Sequence, residues 1–367
     1  MRTAARCSLA LAWAIATNAQ AIDLADLTLP PGFRIELYAD SVPNARQMAR
    51  GDDGVLYVGT RSAGAVYAVI DADGDYRAEA VKRIAGGLNM PSGVAWRDGS
   101  LYVAEVQRVL RFDDIGRRLD DPPSPVIVAD DLPDDRHHGW KAIDFGPDGF
   151  LYVPVGAPCN VCLRDPPYAT IQRMRADGSQ RETWVRGVRN SVGFAWHPAT
   201  GEMWFTDNGR DMLGDDVPSC ELNRVTQQGQ HFGFPYVHGG DVPDPDFVAP
   251  ADAPDFVAPA VKLGAHVAPL GVLFYTGTQF PAAYRGSLLV AEHGSWNRSE
   301  PVGYRLVHVS LNGSDVVRHE IFASGWLRDG QVSGRPVDLE QLPDGSVLVS
   351  DDDAGAIYRI SYQGTDD

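Results

Sequence analysis

The chain has 367 residues, 44% of them hydrophobic, and 32 basic against 49 acidic side chains give a formal charge of −17. That apolar share suits a globular protein with a real core, and the length allows two or three ordinary domains or one large all-β unit. The acidic balance argues against nucleic acid, which needs a basic surface; it favours solubility and would also steer a basic redox partner.

The first segment, MRTAARCSLALAWAIATNAQA, reads as a secretory signal (residues 1–21). Arg2 and Arg6 precede an apolar run from Ser8 to Ala16, and Ala19-Gln20-Ala21 is a small-residue cleavage site. The run is too short to span a bilayer, and no later segment reads as transmembrane. The expectation is a periplasmic or secreted protein that begins near Ile22. Loss of two arginines and no acids moves its charge from −17 to −19. Cys7 leaves with the signal. Cys159 and Cys162 form CNVC, a spacing open to a local disulfide after export. Leu163 follows instead of His, so this is no CxxCH haem attachment. Cys220 is left free or paired elsewhere.

One pattern then recurs six times: an apolar strand, a glycine turn and a second strand. The copies start at Ala49, Ser92, Ala142, Val192, Gly271 and Val337, with turn glycines at Gly54, Gly99, Gly149, Gly201, Gly286 and Gly345. Glycine suits tight hairpins that need positive φ. The flanking runs, such as Val-Leu-Tyr-Val and Phe-Leu-Tyr-Val, alternate and are rich in β-branched and aromatic residues. Repeats of this length predict an all-β, six-bladed β-propeller of four-stranded antiparallel blades, with a β-sandwich ranked second. Residues 22–367 are expected to form one domain, with 33–40 supplying a ring-closing strand. A Pro- and Asp-rich insertion at 238–265 argues against regular strands and reads equally as a surface excursion between blades or as a disordered loop.

In a propeller, loops at one end of the blades converge on the central channel. The polar residues just before a first strand or just after a second are therefore the candidates. In chain order they are Asn89, His137 and His138, Arg189 and Asn190, Gly209 and Arg210, His266, His293 and Arg335. A lone loop histidine is more often structural than a general base. Asp215, Asp216 and the acids at 351–353 read as hairpin-end acids. The DADGD run at 71–75 lacks EF-hand spacing, so it reads as a hairpin turn.

Taken together, GVRNSVGFAWHPATGEMWFTDNGRD, ELNRV with GQHFGFPY, HVAPLGVLFYTG, AEHGSWNR, and GRPVDL with DGSVLVSDDDAGAIYRI resemble the soluble quinoprotein sugar dehydrogenases. The likeness runs over 29–362, with the L-sorbosone dehydrogenase-like branch nearest. It implies a six-bladed propeller with pyrroloquinoline quinone (PQQ) at the channel mouth, held by Ca²⁺ and basic side chains. By that resemblance His138 is the base for the sugar hydroxyl and Arg189 stabilises the reacting quinone. Asn89, Arg189, Asn190, His266 and Arg335 bind the cofactor. Gly209 and Arg210 offer calcium two backbone carbonyls. The residue types suit the chemistry: imidazole titrates near neutrality, guanidinium stays charged, and Ca²⁺ prefers oxygen.

The sequence also departs from the family. His137 replaces an acid beside the base, Leu88 a glutamine, and Gly264 an aromatic that covers the cofactor. His266 stands at a threonine position, and Arg210 where proline is frequent. A cofactor-holding lysine aligns near Gly294, with His293 and Arg298 as substitutes. The implied function is a PQQ-dependent dehydrogenase that oxidises an aldose or a sorbosone-like aldehyde sugar to the lactone or acid. Its electrons leave to an external acceptor, a cytochrome c or a quinone. The alternatives are a calcium-dependent propeller lactonase and a non-catalytic carbohydrate- or protein-binding propeller.

Overall fold

Alternation within the Leu-Tyr-Val runs sets the packing, because successive strand residues face opposite sides of a sheet. Leu56 packs with Tyr38 and Leu348, whereas its neighbour Tyr57 packs with Leu101 and Phe112 on the other side. Tyr102 then joins Leu151 and Met174, and Tyr152 joins Met203 and Phe205. Each sheet thus buries both faces between its neighbours. The core is a ring of inter-blade clusters, completed by Trp204 with Leu288 and by Tyr275 with Tyr358. A fully buried leucine or tyrosine contributes roughly 1.5–3 kcal/mol.

The computed structural model describes residues 23–364, so the expected signal segment lies outside them. It is a six-bladed β-propeller of four-stranded antiparallel sheets, which in blades one to five run from the axis outward in chain order. Blade one begins with Ala45–Arg50, blade two with Gly93–Arg97 and blade three with Asp144–Phe145. Blades four to six begin with Gly193–Trp196, Pro269–Phe274 and Pro336–Gln341. Phe33–Ala39 pairs antiparallel with Ala356–Tyr362 as the outer strand of blade six, which closes the ring as expected. The inner strands of blades six and one pack together across that closure. Gly149 sits at φ +77° in the blade-three hairpin, where its lack of Cβ is required. No helix of the described residues is long and apolar enough to cross a membrane.

The insertion at 238–265 differs from its expected form. Val261–Ala265 is the outer strand of blade four, paired with Ser219–Val225. Its burial alternates, with Val261, Leu263 and Ala265 inward, a pattern that the preceding prolines overshadowed. Within the rest, Val237–His238 pairs with Val242–Pro243. The 71–75 run does form a turn: Asp71 Oδ1 accepts from the Gly74 amide at 2.8 Å and Oδ2 from the Tyr76 amide at 3.0 Å.

Candidate active site

The loops at one end of the blades enclose a pocket of about 340 Å³. Of the predicted residues, His138, Arg189, Asn190, Gly209, His266 and Arg335 line it, together with His137 and His293. Asn89 does not. Its amide donates to the Glu105 carboxylate at 2.5 Å and its side-chain Nδ2 to Gln107 Oε1 at 2.9 Å, which turns it away. The Arg210 side chain also points elsewhere, into a buried ion pair with Asp244 of the insertion. His238 Nε2 lies 2.8 Å from the same carboxylate. The insertion therefore braces the 209–211 turn. No hydrogen bond to the Gly209 or Arg210 carbonyl occurs among the described residues, and of the two residues Gly209 lines the pocket whereas Arg210 does not.

His138 is buried, at 8% exposure. Its Nδ1 lies 2.9 Å from the Ala157 carbonyl. A carbonyl only accepts, so Nδ1 carries the proton and Nε2 keeps its lone pair. Burial, aided by the nearby Arg189 charge and by His137, pushes its pKa down to about 2. The ring is thus neutral, with Nε2 unprotonated but weakly basic. The carbonyl takes over the orienting role that an acid at position 137 would have filled. A Cβ on Gly156 would come within 2.7 Å of His138 Cβ, so glycine is needed behind the ring. His138 has φ +51°, and Met90 has +50° in the segment that leads into blade two, one step beyond the position equivalent to His138. The left-handed turn thus belongs to the blade crossover. His137 is exposed and packs against His138 at 4.1 Å between ring centroids.

Arg189 is almost wholly engaged by the protein. Its Nε donates to the Asn160 carbonyl at 2.8 Å and its Nη1 to the Asn208 carbonyl at 3.2 Å. Its Nη2 donates to Asn160 Oδ1 at 2.8 Å and to Asp211 Oδ2 at 2.9 Å. One of the five guanidinium hydrogens remains for a ligand. The Arg189 and Asn190 amides grip both oxygens of buried Asp207, at 2.7 and 2.6 Å. Arg335 is freer: Nε and Nη2 bond the His293 and Gly294 carbonyls at 3.2 and 2.8 Å, and Nη1 has no partner among the described residues. His266 Nε2 donates to the Gly214 carbonyl at 2.8 Å, and its Nδ1 faces Asp211 Oδ1 at 3.9 Å.

Sequence reasoning missed several lining residues. Arg61 lies over the Trp140 ring at 4.1 Å from its centroid, without a carboxylate partner among the described residues. Burial and the neighbouring Arg46 lower its pKa. Trp140 Nε1 is buried and unpartnered. Arg46 and His293 both reach Asp352, at 2.8 and 2.7 Å. Burial opposes ionisation of Asp352, but its bonds to His293 and to the Arg46 guanidinium outweigh it and hold the carboxyl well below its usual range. Asp352 is therefore a site-building residue and not a plain hairpin-end acid. Burial, opposed by Asp352, pushes His293 down to about 4. Trp296 stands 71% exposed at the rim. Cys220 is a free buried thiol, pushed by burial up to about 11, while Cys159 and Cys162 are disulfide-bonded.

Four arginines against one aspartate, Asp211, make the lining cationic inside an acidic chain. Partly unpaired guanidinium groups beside tryptophan faces suit a planar anion with several carboxylates.

The glucose/sorbosone dehydrogenase family model matches residues 108–359. An uncharacterized protein of Borreliella burgdorferi is 32% identical over 352 residues, covering 92% of this chain and 91% of its own length. A calcium structure of a Trichoderma reesei enzyme of carbohydrate-active family AA12 superposes with TM-score 0.78 at 20% identity, over 95% of this chain and 100% of that one. The holo PQQ domain of Coprinopsis cinerea pyranose dehydrogenase gives TM-score 0.73 at 19% identity, over 91% and 97%. At these identities the two structures speak to the shared fold.

Proposed function

The chain belongs to the glucose/sorbosone dehydrogenase family, and from that premise we propose that it is a PQQ-dependent dehydrogenase of an aldose or aldehyde-type sugar. One observation carries the reading. The mouth of the propeller combines Arg61 and Arg335, both with unspent donors, and a buried neutral histidine whose Nε2 is free. Arg61, Arg335 and the last Arg189 hydrogen would hold the cofactor's carboxylates and carbonyl oxygens, with Asn190 and His266 beside them. The Gly209 and Arg210 carbonyls would hold Ca²⁺. Bound there, PQQ supplies the hydride acceptor.

This chain's own groups do the rest. His138 Nε2 takes the proton from the sugar hydroxyl whose carbon loses hydride, and the Ala157 carbonyl fixes the tautomer that allows it. Burial is the main cause of the low His138 basicity, and an anion in the pocket would offset the smaller contribution of Arg189. Trp140 and exposed Trp296 line the pocket beside these groups. Electrons leave to an external cytochrome or quinone. The lactonase alternative needs side-chain carboxylates around a central metal, but Asp211, the single lining carboxylate among the described residues, is already held by Arg189 and Asn297.

The test is reconstitution of the mature protein with PQQ and Ca²⁺, followed by dye-linked oxidation of a sugar panel. Turnover that requires PQQ is expected. Absence of both cofactor uptake and turnover would sink the proposal, and lactone hydrolysis without PQQ would replace it. Export is proposed from the N-terminal segment, and N-terminal sequencing of the periplasmic fraction checks it, with a start near Ile22 expected.

A further inference from the structure

The loop between Cys159 and Cys162 does more than join strands. Asn160, inside that disulfide-closed loop, makes four hydrogen bonds to the pocket wall. Its backbone carbonyl accepts from Arg189 Nε at 2.8 Å, and Oδ1 accepts from Arg189 Nη2 at 2.8 Å. The same Oδ1 accepts from the Asp211 amide at 2.9 Å, while Nδ2 donates to the Asp211 carbonyl at 3.1 Å. Arg189 and Asp211 line the pocket, and the turn at 209–211 carries the Gly209 and Arg210 carbonyls. One side chain thus ties together the most engaged arginine and the candidate cation turn.

We propose that Asn160 is a positioning residue and that the Cys159–Cys162 disulfide holds it in place, which makes the geometry of the pocket sensitive to reduction. A short loop has little packing of its own to fix an asparagine in four simultaneous bonds; closing it covalently removes alternative conformations. Both cysteines are partly exposed, so a dithiol can reach them. Two successive exchanges break the S–S bond. The dithiol supplies two electrons and two protons, both cysteines end as thiols, and the dithiol ends as a cyclic disulfide. Asn160 is then free to leave, and Arg189 loses two of its four protein contacts.

The experiment has one arm that is independent of the cofactor. Hydrogen exchange of the Asp211 amide is measured in the apo protein, oxidised and dithiol-reduced, and in Asn160→Ala, which keeps the disulfide. Reduction and Asn160→Ala should each accelerate that amide at least about tenfold, the order of one lost hydrogen bond, with strand amides of blades one and two unchanged. Asn160→Asp, which keeps the acceptors for Arg189 and Asp211, should remain closer to wild type. An Asp211 amide that exchanges equally in all four samples overturns the proposal.

The second arm rests on the proposed function. Equilibrium titration with PQQ should give about tenfold weaker binding after reduction and in Asn160→Ala, with Asn160→Asp intermediate. If wild type takes up no PQQ, the functional reading fails while the exchange arm still decides the strut. Equal PQQ affinity across all four samples would contradict the proposed link from strut to pocket.

Discussion

Along the central axis, the loops and strand starts gather Arg46, Arg61, Arg189 and Arg335 with one aspartate. A second cavity, of about 350 Å³, is lined by the inner strands themselves and gathers Asp144, Asp338 and Glu340 with one arginine, Arg50. The same six strands thus connect a cationic mouth to an acidic interior. In the interior, burial dominates: it pushes Asp144 up to about 6, Asp338 to about 7 and Glu340 to about 8. At the mouth the positive charges help keep His138 neutral. Loop positions are free to supply unpaired charge for a ligand, whereas strand positions near the axis must tolerate burial.

The largest expected effect lies at the mouth. His138→Ala should lower kcat by about 10²–10⁴-fold, the usual worth of a general base, while PQQ affinity stays near wild type. Dye-linked turnover and an equilibrium titration separate the two. His137→Ala should cost far less, and a larger loss there would mean that the base is the other histidine. Next comes Arg61→Ala, which should weaken PQQ binding by about 10–100-fold for one lost charge-assisted bond. Equal affinity would contradict the match between Arg61 and an anionic ligand.

The smallest effect concerns the interior. Each raised acid keeps its proton in the folded state at a pH where the unfolded chain has lost it. The folded protein therefore binds more protons between about pH 4 and the folded values of 6 to 8. Stability falls as pH rises through that window and levels off above it. Asp338→Asn keeps an oxygen for the Met48 amide and should flatten the fall by on the order of 1 kcal/mol, with turnover almost unchanged. Urea melts at pH 5 and pH 8 read this directly. A large loss of turnover would mean that the two regions are not chemically separate.

The fold was legible because the Leu-Tyr-Val runs and turn glycines state strand, face and hairpin locally. His138, Arg189, Asn190, Gly209, His266 and Arg335 were legible through their places around those hairpins and through resemblance. Arg46 and Arg61 were not. Arg46 lies in an ordinary strand, and its carboxylate partner Asp352 is 306 residues away across the ring closure. Asn160 looked like loop filler because its role exists only once blades three and four are side by side. Asn89 misled for the converse reason: none of its loop lines the pocket, and Gln107, eighteen residues on, captures its side chain. Local spacing shows which loops converge, and long-range contacts decide which side chains enter.

The most direct measurement is a crystal structure of the mature protein grown with PQQ and Ca²⁺. The account predicts cofactor density in the cationic mouth beside His138, Arg61 and Arg335, with an ion at the Gly209 and Arg210 carbonyls. Cofactor in the acidic interior, or an empty mouth at saturating PQQ, would contradict it.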